Sequence, residues 1–269
     1  MITPFLLLDY EYIITRPLTV WIYKTGSGIM EQVKKIVLTL IAALAAILFV
    51  NVVPAAAQGI YLSGSGGVDV SYPNCTTKIP SVSFGVVGVT GGINFQPNNC
   101  LAAEASKFAN LSLYANTGYP GQSYGLKYQN APRACTASDL ACLAYNYGYN
   151  AGQYAVNYAS AQGISSSTWW LDVETMNTWT PDAAQNIQSL QGEYDALRAG
   201  GIPTIGIYST TAQWGSITGG WKNGLPGWGA TTWTTAKQAA KYCTGHEFTG
   251  GPTWLIQYRG RTLDQDYAC

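Results

Sequence analysis

The sequence has 269 residues with 14 basic and 14 acidic side chains, and this even balance offers no basic stripe for nucleic acid. We therefore expect no nucleic-acid partner. The single histidine, His246, lies in a polar loop, and one histidine gives little support to a Ser-His-Asp site or a histidine-based zinc site. We therefore expect no metal and no cofactor.

The N-terminal part of the chain predicts a leader that precedes the folded domain. From Met30 the chain reads Met-Glu-Gln-Val-Lys-Lys, then an apolar run over 36–53, then Pro54-Ala55-Ala56-Ala57. This order is typical of a secretory signal peptide. We interpret residues 1–29 as a gene-model extension and 30–57 as the signal peptide, with an uncleaved membrane anchor as the alternative. Cleavage after Ala57 predicts a secreted, extracellular chain with no stable membrane insertion, free to associate with cell walls.

All six cysteines follow this leader. An even number of cysteines behind a signal peptide indicates disulfide bonds. Six cysteines allow about fifteen pairings. Proximity along the chain favours Cys75 with Cys100, Cys135 with Cys142, and Cys243 with Cys269.

In residues 58–269, short β-branched or aromatic runs alternate with longer stretches of helical composition. Strands are predicted at 67–71, 82–89, 111–116, 168–173 and 203–208, with weaker candidates at 227–232 and 254–258. Helices are predicted at 101–110, 146–162 and 180–199. The alternation is typical of βαβ units and predicts an α/β fold, a single-domain, irregular (β/α)8-like TIM barrel stapled by disulfides.

Polar side chains fall at the C-terminal ends of the predicted strands, where barrel enzymes hold their catalytic groups. Asp172 and Glu174 end the run that begins at Thr168 and are two residues apart, so they leave the same face of a strand. Paired carboxylates at a barrel mouth are typical of a glycosidase site, although a solvated strand end is the alternative. Further polar residues at or just past strand ends are Asp69, Asn116, Tyr208, Asp264 and Asp266.

Several motifs occur in a particular order along the chain. They are Val68-Asp69-Val70-Ser71, Phe84-Gly85-Val86-Val87, Asp172-Val173-Glu174, Gly201-Ile202-Pro203 through Ile207-Tyr208-Ser209, Trp254 through Gln257-Tyr258, and Leu263-Asp264. This ordered set resembles glycoside hydrolase family 25, the lysozyme-type muramidases, and related glycoside-hydrolase-like barrels of unknown function.

The resemblance implies a glycosidase that cleaves the β-1,4 bond between N-acetylmuramic acid and N-acetylglucosamine in peptidoglycan. It implies that Glu174 is the general acid and that Asp172 orients the substrate's own 2-acetamido group, with Asp69 and Asp264 as further catalytic acids. We expect substrate-binding roles for Asn116, Tyr208, Gln257 and Asp266. The expected partner is peptidoglycan or a related amino-sugar polysaccharide, and the expected state is a monomer.

The chain also departs from the muramidase pattern. Val89-Thr90-Gly91-Gly92 replaces a strand end that usually contains Lys or Arg, and the region 118–142 is long and carries two cysteines. Two other functions are therefore considered. One is a catalytically silent carbohydrate- or cell-wall-binding barrel, and the other is an inhibitor or surface protein whose acids would lie apart.

Overall fold

The computed structural model describes residues 60–269, which fold as one domain. The predicted extension and signal peptide lie outside the described residues. Within residues 60–269, no helix is both long enough and apolar enough to cross a lipid bilayer.

Eight strands close into a barrel in chain order, which confirms the predicted α/β barrel. The strands are β1 (Gly66–Val70), β2 (Phe84–Gly88), β3 (Leu111–Asn116), β4 (Thr168–Asp172), β5 (Thr204–Ser209), β6 (Gly227–Ala230), β7 (Thr253–Tyr258) and β8 (Gln265–Ala268). The first seven run parallel to one another. Their C-terminal ends therefore meet at one rim of the barrel.

The eighth strand was not predicted, and it runs antiparallel to both β7 and β1. Only residues 259–264 join β7 to β8. A parallel return needs a crossover of about a dozen residues or more, so this short turn can only produce an antiparallel strand. Asp266 lies past β7, the last predicted strand, as expected, but it lies inside the additional strand β8, where it pairs with Gly67 and Gln257.

Apolar side chains form two layers, one inside the barrel and one between the strands and the helices. Trp170 packs inside with Phe84 and Trp228, whereas its neighbours Trp169 and Leu171 pack in the outer layer. This division follows from the alternation of side chains along a strand. Since β4 is buried on both faces, its position in the barrel is fixed from both sides.

The described helices are α1 (Leu101–Ala105), α2 (Gln122–Gly125), α3 (Leu140–Ala161), α4 (Ala183–Ala199), α5 (Thr211–Thr218) and α6 (Ala236–Ala239). The helix predicted at 101–110 ends early, and the one predicted at 146–162 begins six residues earlier, where the Asp139 side chain accepts a hydrogen bond from the Cys142 amide. The helix predicted at 180–199 begins later because Asp182 caps it. Helices α2, α5 and α6 were not predicted.

The two longest helices, α3 and α4, flank β4 in the chain and approach each other closely. Gly148 of α3 faces the Ser189 carbonyl oxygen of α4, and Gly192 of α4 faces the Tyr145 carbonyl oxygen of α3. A Cβ atom at either glycine would overlap that oxygen. Small residues at these two points therefore let the helix backbones pack against each other beside β4.

The three predicted disulfides are confirmed. The Cα atoms are 5.5 Å apart in Cys75–Cys100, 5.7 Å in Cys135–Cys142 and 5.3 Å in Cys243–Cys269. The last of these links the end of the short strand β8 to the segment between α6 and β7. Covalent attachment thus holds the strand that closes the barrel.

Candidate active site

The carboxylates of β4 lie in an open cleft of about 490 Å³ at the C-terminal rim of the barrel. Asp172 is the last residue of β4 and is buried, while Glu174 follows two residues later and is half-buried. The other predicted site residues that line this catalytic cleft are Asp69, Tyr208, Gln257 and Asp264. The structure therefore brings six of the eight predicted site residues together.

Asn116 does not line the cleft and lies behind Asp172. The two residues end neighbouring strands in register, and Asn116 Nδ2 donates a hydrogen bond to Asp172 Oδ2. Asn116 Oδ1 accepts from the Gly92 amide at 3.0 Å and from Thr90 Oγ1 at 2.8 Å. Because a backbone amide can only donate, these contacts fix the orientation of the Asn116 side chain and direct its NH2 group at Asp172.

Burial and the neighbouring charge of Glu174 raise the pKa of Asp172 well above its ordinary value, against the hydrogen bond from Asn116. Burial likewise raises the pKa of Glu174. The Oδ1 atom of Asp172 is buried and accepts no hydrogen bond from an N–H or hydroxyl group of residues 60–269, and Glu174 is the neighbour with which Asp172 can share a proton. The pair thus retains a proton to higher pH than isolated carboxyls would, and one Asp172 oxygen is left to accept a donor.

Gln213, which sequence reasoning missed, contacts the segment that carries Glu174. Its Oε1 atom accepts from the Thr175 amide at 2.6 Å and from Thr175 Oγ1 at 3.0 Å. The amide group is thereby oriented with its NH2 end available to Glu174, and this donor lowers the pKa of the Glu174 carboxyl, against the larger effect of burial. Thr210 caps α5 by accepting from the Gln213 amide, which holds Gln213 at the first turn of the helix.

A hydrogen-bonded chain crosses the cleft from β5, the neighbour of β4, through β7 to β1. Tyr208 Oη donates to Gln257 Oε1 at 2.9 Å, and Gln257 Nε2 donates to Asp69 Oδ2 at 2.9 Å. Burial, together with the charge of Asp264, raises the pKa of Asp69 to about 7 despite the donor from Gln257. Asp69 therefore changes its charge near neutral pH.

Asp266 is fully buried and does not line the cleft. It pairs with Gly67, two residues before Asp69 on β1, so its side chain lies one layer deeper inside the barrel. Trp228 Nε1 donates to Asp266 Oδ1 at 2.8 Å, and burial followed by the charge of Asp69 raises the pKa of Asp266 well above its ordinary value. The burial of Asp266 beneath the residues that line the cleft does not fit the predicted direct contact with substrate.

Two arginines complete the cleft and were also missed from the sequence. Arg259 and Arg261 lie in the turn between β7 and β8 and line the same cleft as the exposed residue Asp264. The sequence feature that could have identified these arginines is the run Arg259-Gly260-Arg261 directly after a predicted strand. Within residues 60–269, no group of three or more His, Cys, Asp or Glu side chains has an arrangement that could hold a metal ion.

Comparison with known proteins identifies relatives along most of the barrel. Residues 83–244 match the family model described as Lysozyme-like protein 1. The chain is 25% identical over 146 residues to probable GH family 25 lysozyme 4 of Dictyostelium discoideum, covering 53% of this chain and 68% of that protein. It is 23% identical over 201 residues to probable GH family 25 lysozyme 2 of the same organism, covering 71% of this chain and 79% of that protein.

Solved structures resemble the barrel at low sequence identity. The spore cortex lytic enzyme SleM of Clostridium perfringens has a TM-score of 0.51 at 12% identity, covering 76% of this chain and 67% of that chain. The bacterial lysozyme of Streptomyces coelicolor has a TM-score of 0.48 at 19% identity, covering 77% of this chain and 93% of that chain. The match to SleM supports the barrel fold alone.

The family match includes β2 to β6 and the site residues Asn116, Asp172, Glu174, Tyr208 and Gln213. The resemblance to family 25 lysozymes that the sequence predicted is confirmed. Because the matched residues make up more than half of the sequence, the chain belongs to the lysozyme-like protein 1 family of glycosidases.

Proposed function

We propose that this chain hydrolyses the β-1,4 bond between N-acetylmuramic acid and N-acetylglucosamine in peptidoglycan, with Glu174 as the general acid and Asp172 as the group that orients the substrate acetamido. The observation that carries the proposal is the pairing of a half-buried Glu174 with a buried Asp172 that has one oxygen unpartnered within residues 60–269. A simple sugar-binding surface has no need for two such carboxyls.

The reaction begins with a single proton held by the pair. When the substrate acetamido N–H donates to Asp172 Oδ1, it favours the Asp172 carboxylate, so the proton moves to Glu174. Glu174 then gives this proton to the glycosidic oxygen, and the C–O bond to that oxygen breaks as the acetamido carbonyl oxygen bonds to the anomeric carbon. The leaving sugar departs as an alcohol, and a positively charged oxazoline ring remains.

Water completes the cycle. The Glu174 carboxylate removes a proton from a water molecule whose oxygen bonds to the anomeric carbon and opens the oxazoline ring. This step restores the acetamido group and the proton on Glu174. The β configuration is retained because two displacements occur at the same carbon.

The hydrogen-bonded chain from Tyr208 through Gln257 to Asp69, which runs from β5 to β1, supports substrate binding along the rest of the cleft. With a pKa of about 7, Asp69 can donate or accept a hydrogen bond near neutral pH. We assign Asp69 and Asp264 to sugar hydroxyls and keep proton transfer to the glycosidic oxygen for Glu174.

The test is the release of reducing ends from purified peptidoglycan by the full chain. Glu174→Gln should lower kcat by at least about 100-fold, the usual contribution of a general acid, whereas Glu247→Gln should leave it unchanged. Glu247 is an exposed residue that does not line the cleft, so it is the matched control. If the unmodified chain binds cell walls and releases no reducing ends, the proposed reaction is wrong and the protein is a binding module.

We also propose that the chain is secreted after cleavage at Ala57. The supporting observations are the leader-like order of residues 30–57 and three disulfides, which persist in oxidising compartments. N-terminal sequencing of the protein recovered from the medium should begin at Gln58. A product that keeps residues 30–57 and stays with membranes would support the uncleaved anchor.

A further inference from the structure

A second cleft of about 550 Å³ lies on the β2–β4 side of the same rim, and no step of the proposed reaction uses it. Three aromatic rings form its wall, those of Phe95, Tyr128 and Tyr147. Lys127 and the exposed ring of Tyr124 stand at its edge. Sequence reasoning had noted the segment 118–142, which supplies much of this wall, only as a departure from the muramidase pattern.

The aromatic wall is held in a defined shape. Phe95 stacks on Tyr128 with ring centroids 5.3 Å apart and meets the edge of Tyr147 at 5.4 Å. Phe95 has φ of 62°, which residues with a Cβ atom rarely adopt. The buried Asn146 donates to the Tyr128 carbonyl oxygen at 2.8 Å, which fixes the segment that carries Tyr128.

The second cleft borders the backbone of Asp172. The Thr117 amide and Thr117 Oγ1 donate to the Asp172 carbonyl oxygen at 3.1 and 2.6 Å, and Asn177 Nδ2 donates to the same oxygen at 3.2 Å. Thr117 and Asn177 both line the second cleft. One wall of this cleft is therefore bonded directly to the residue that ends β4 in the catalytic cleft.

The two clefts differ in charge. The catalytic cleft is lined by four acids and two arginines, whereas the described residues that line the second cleft include one base, Lys127, and no acid. The Lys127 ammonium lies 4.3 Å from the centre of the Tyr124 ring. This combination of apolar rings and one cation fits a ligand with small aliphatic groups and a carboxylate, whereas a chain of N-acetylglucosamine alone is neutral and supplies no counter-charge.

We propose that the second cleft binds the peptide substituent of a peptidoglycan strand while the sugar that carries it occupies the catalytic cleft. This inference rests on the proposed function and extends it to a substrate class. The peptide is attached through the lactyl group at C3 of muramic acid, next to the C2 acetamido that contacts Asp172. In this arrangement the peptide would enter the second cleft beside Thr117 and Asn177, with Lys127 at the edge of that cleft as the cation for its carboxylates.

Kinetics on two forms of one substrate test the proposal in the full chain. Lys127→Met removes the charge and keeps the aliphatic stem, and Lys237→Met is the matched control on an exposed residue of α6. We expect Lys127→Met and Tyr128→Ala to lower kcat/KM by roughly tenfold on peptide-bearing strands and by less than about twofold on strands stripped of peptide by an amidase. Equal losses of kcat/KM on both substrates would indicate that the second cleft binds sugar. No loss on either substrate would indicate that the second cleft binds neither peptide nor sugar. Each of these results would overturn the proposal.

Binding measured by calorimetry separates this proposal from the proposed function. The probe is muramyl dipeptide, with N-acetylmuramic acid as the control ligand that lacks the peptide. Tighter binding of muramyl dipeptide by the unmodified chain, lost in Lys127→Met and kept in Lys237→Met, supports the peptide site even if no hydrolysis is observed. Equal affinity of the two ligands would overturn the peptide site even if hydrolysis is efficient.

Discussion

Replacing Asn116 by alanine tests how Asp172 is tuned. Asn116 is 7% exposed, and its NH2 group donates to a carboxyl that the proposed reaction requires as a carboxylate. A hydrogen bond to a charged group contributes about 1.5–3 kcal/mol, so kcat/KM should fall by roughly 10- to 150-fold. The Gly92 amide and the Thr90 hydroxyl lose their acceptor as well, which should lower the free energy of unfolding by about 1–3 kcal/mol.

The pH dependence has a defined sign. The Asn116 hydrogen bond lowers the pKa of Asp172, so its removal should raise that pKa further. Asp172 then stays protonated to higher pH and cannot accept the acetamido N–H. The acid limb of the kcat/KM profile should therefore move to higher pH, and the loss of activity should be greatest at low pH.

The assay is a pH profile of reducing-end release at temperatures where the variant is folded, as verified by circular dichroism. Asn130→Ala, at an exposed position, is the control for an asparagine without this contact. If Asn116→Ala loses stability and keeps an unchanged acid limb, Asn116 is only a structural residue and the tuning argument is refuted.

Three further predictions concern charge and cross-links. Gln213→Glu should raise the pKa of Glu174 by like-charge repulsion and move the alkaline limb of the activity profile to higher pH. If that limb does not move, the two side chains do not interact in solution. Glu193 is buried, and burial raises its pKa well above its ordinary value. Its contribution to stability is therefore fully present below the pKa of the unfolded state, about 4.3, and is lost as pH rises towards the pKa of the folded state. Thermal unfolding of Glu193→Gln should thus show a smaller decrease in stability between pH 5 and pH 8 than the unmodified chain, and an equal decrease would contradict this. Replacing both Cys243 and Cys269 by serine opens a link with a sequence separation of 26 and should cost about 3.5 kcal/mol in denaturant unfolding, and an unchanged midpoint would argue against the link.

The sequence was sufficient for the parts of the fold that follow from local patterns. Side chains alternate along Thr168–Asp172, so the position of Asp172 and Glu174 beside one cleft could be predicted from spacing alone. The C-terminal ends of parallel strands meet at one rim, which predicted that Asp69 and Tyr208 would lie near them.

The parts that were missed depend on partners that are distant in the chain. Strand β8 contains Asp266, a residue that a sequence pattern assigns to the surface, yet Trp228 donates to it from β6 and makes its burial possible. Gln213 is 38 residues from Thr175 and reads as an ordinary polar residue in a short helix. Asn116 was expected to contact substrate, and only the strand register reveals that Asp172 lies between Asn116 and the cleft.

The antiparallel direction of β8 determines the face of the barrel from which the protein can be fused or immobilised. Strand β8 begins near the rim that carries the cleft and ends beside Gly66, the first residue of β1, at the opposite face of the barrel. The Ser63 hydroxyl donates to the Cys269 carbonyl oxygen at 2.7 Å, so the segment that enters the barrel and the residue that ends it are neighbours there. An affinity tag, carrier protein or solid support joined after Cys269 would therefore leave the cleft open, and the protein can be immobilised at that end for work on insoluble cell walls.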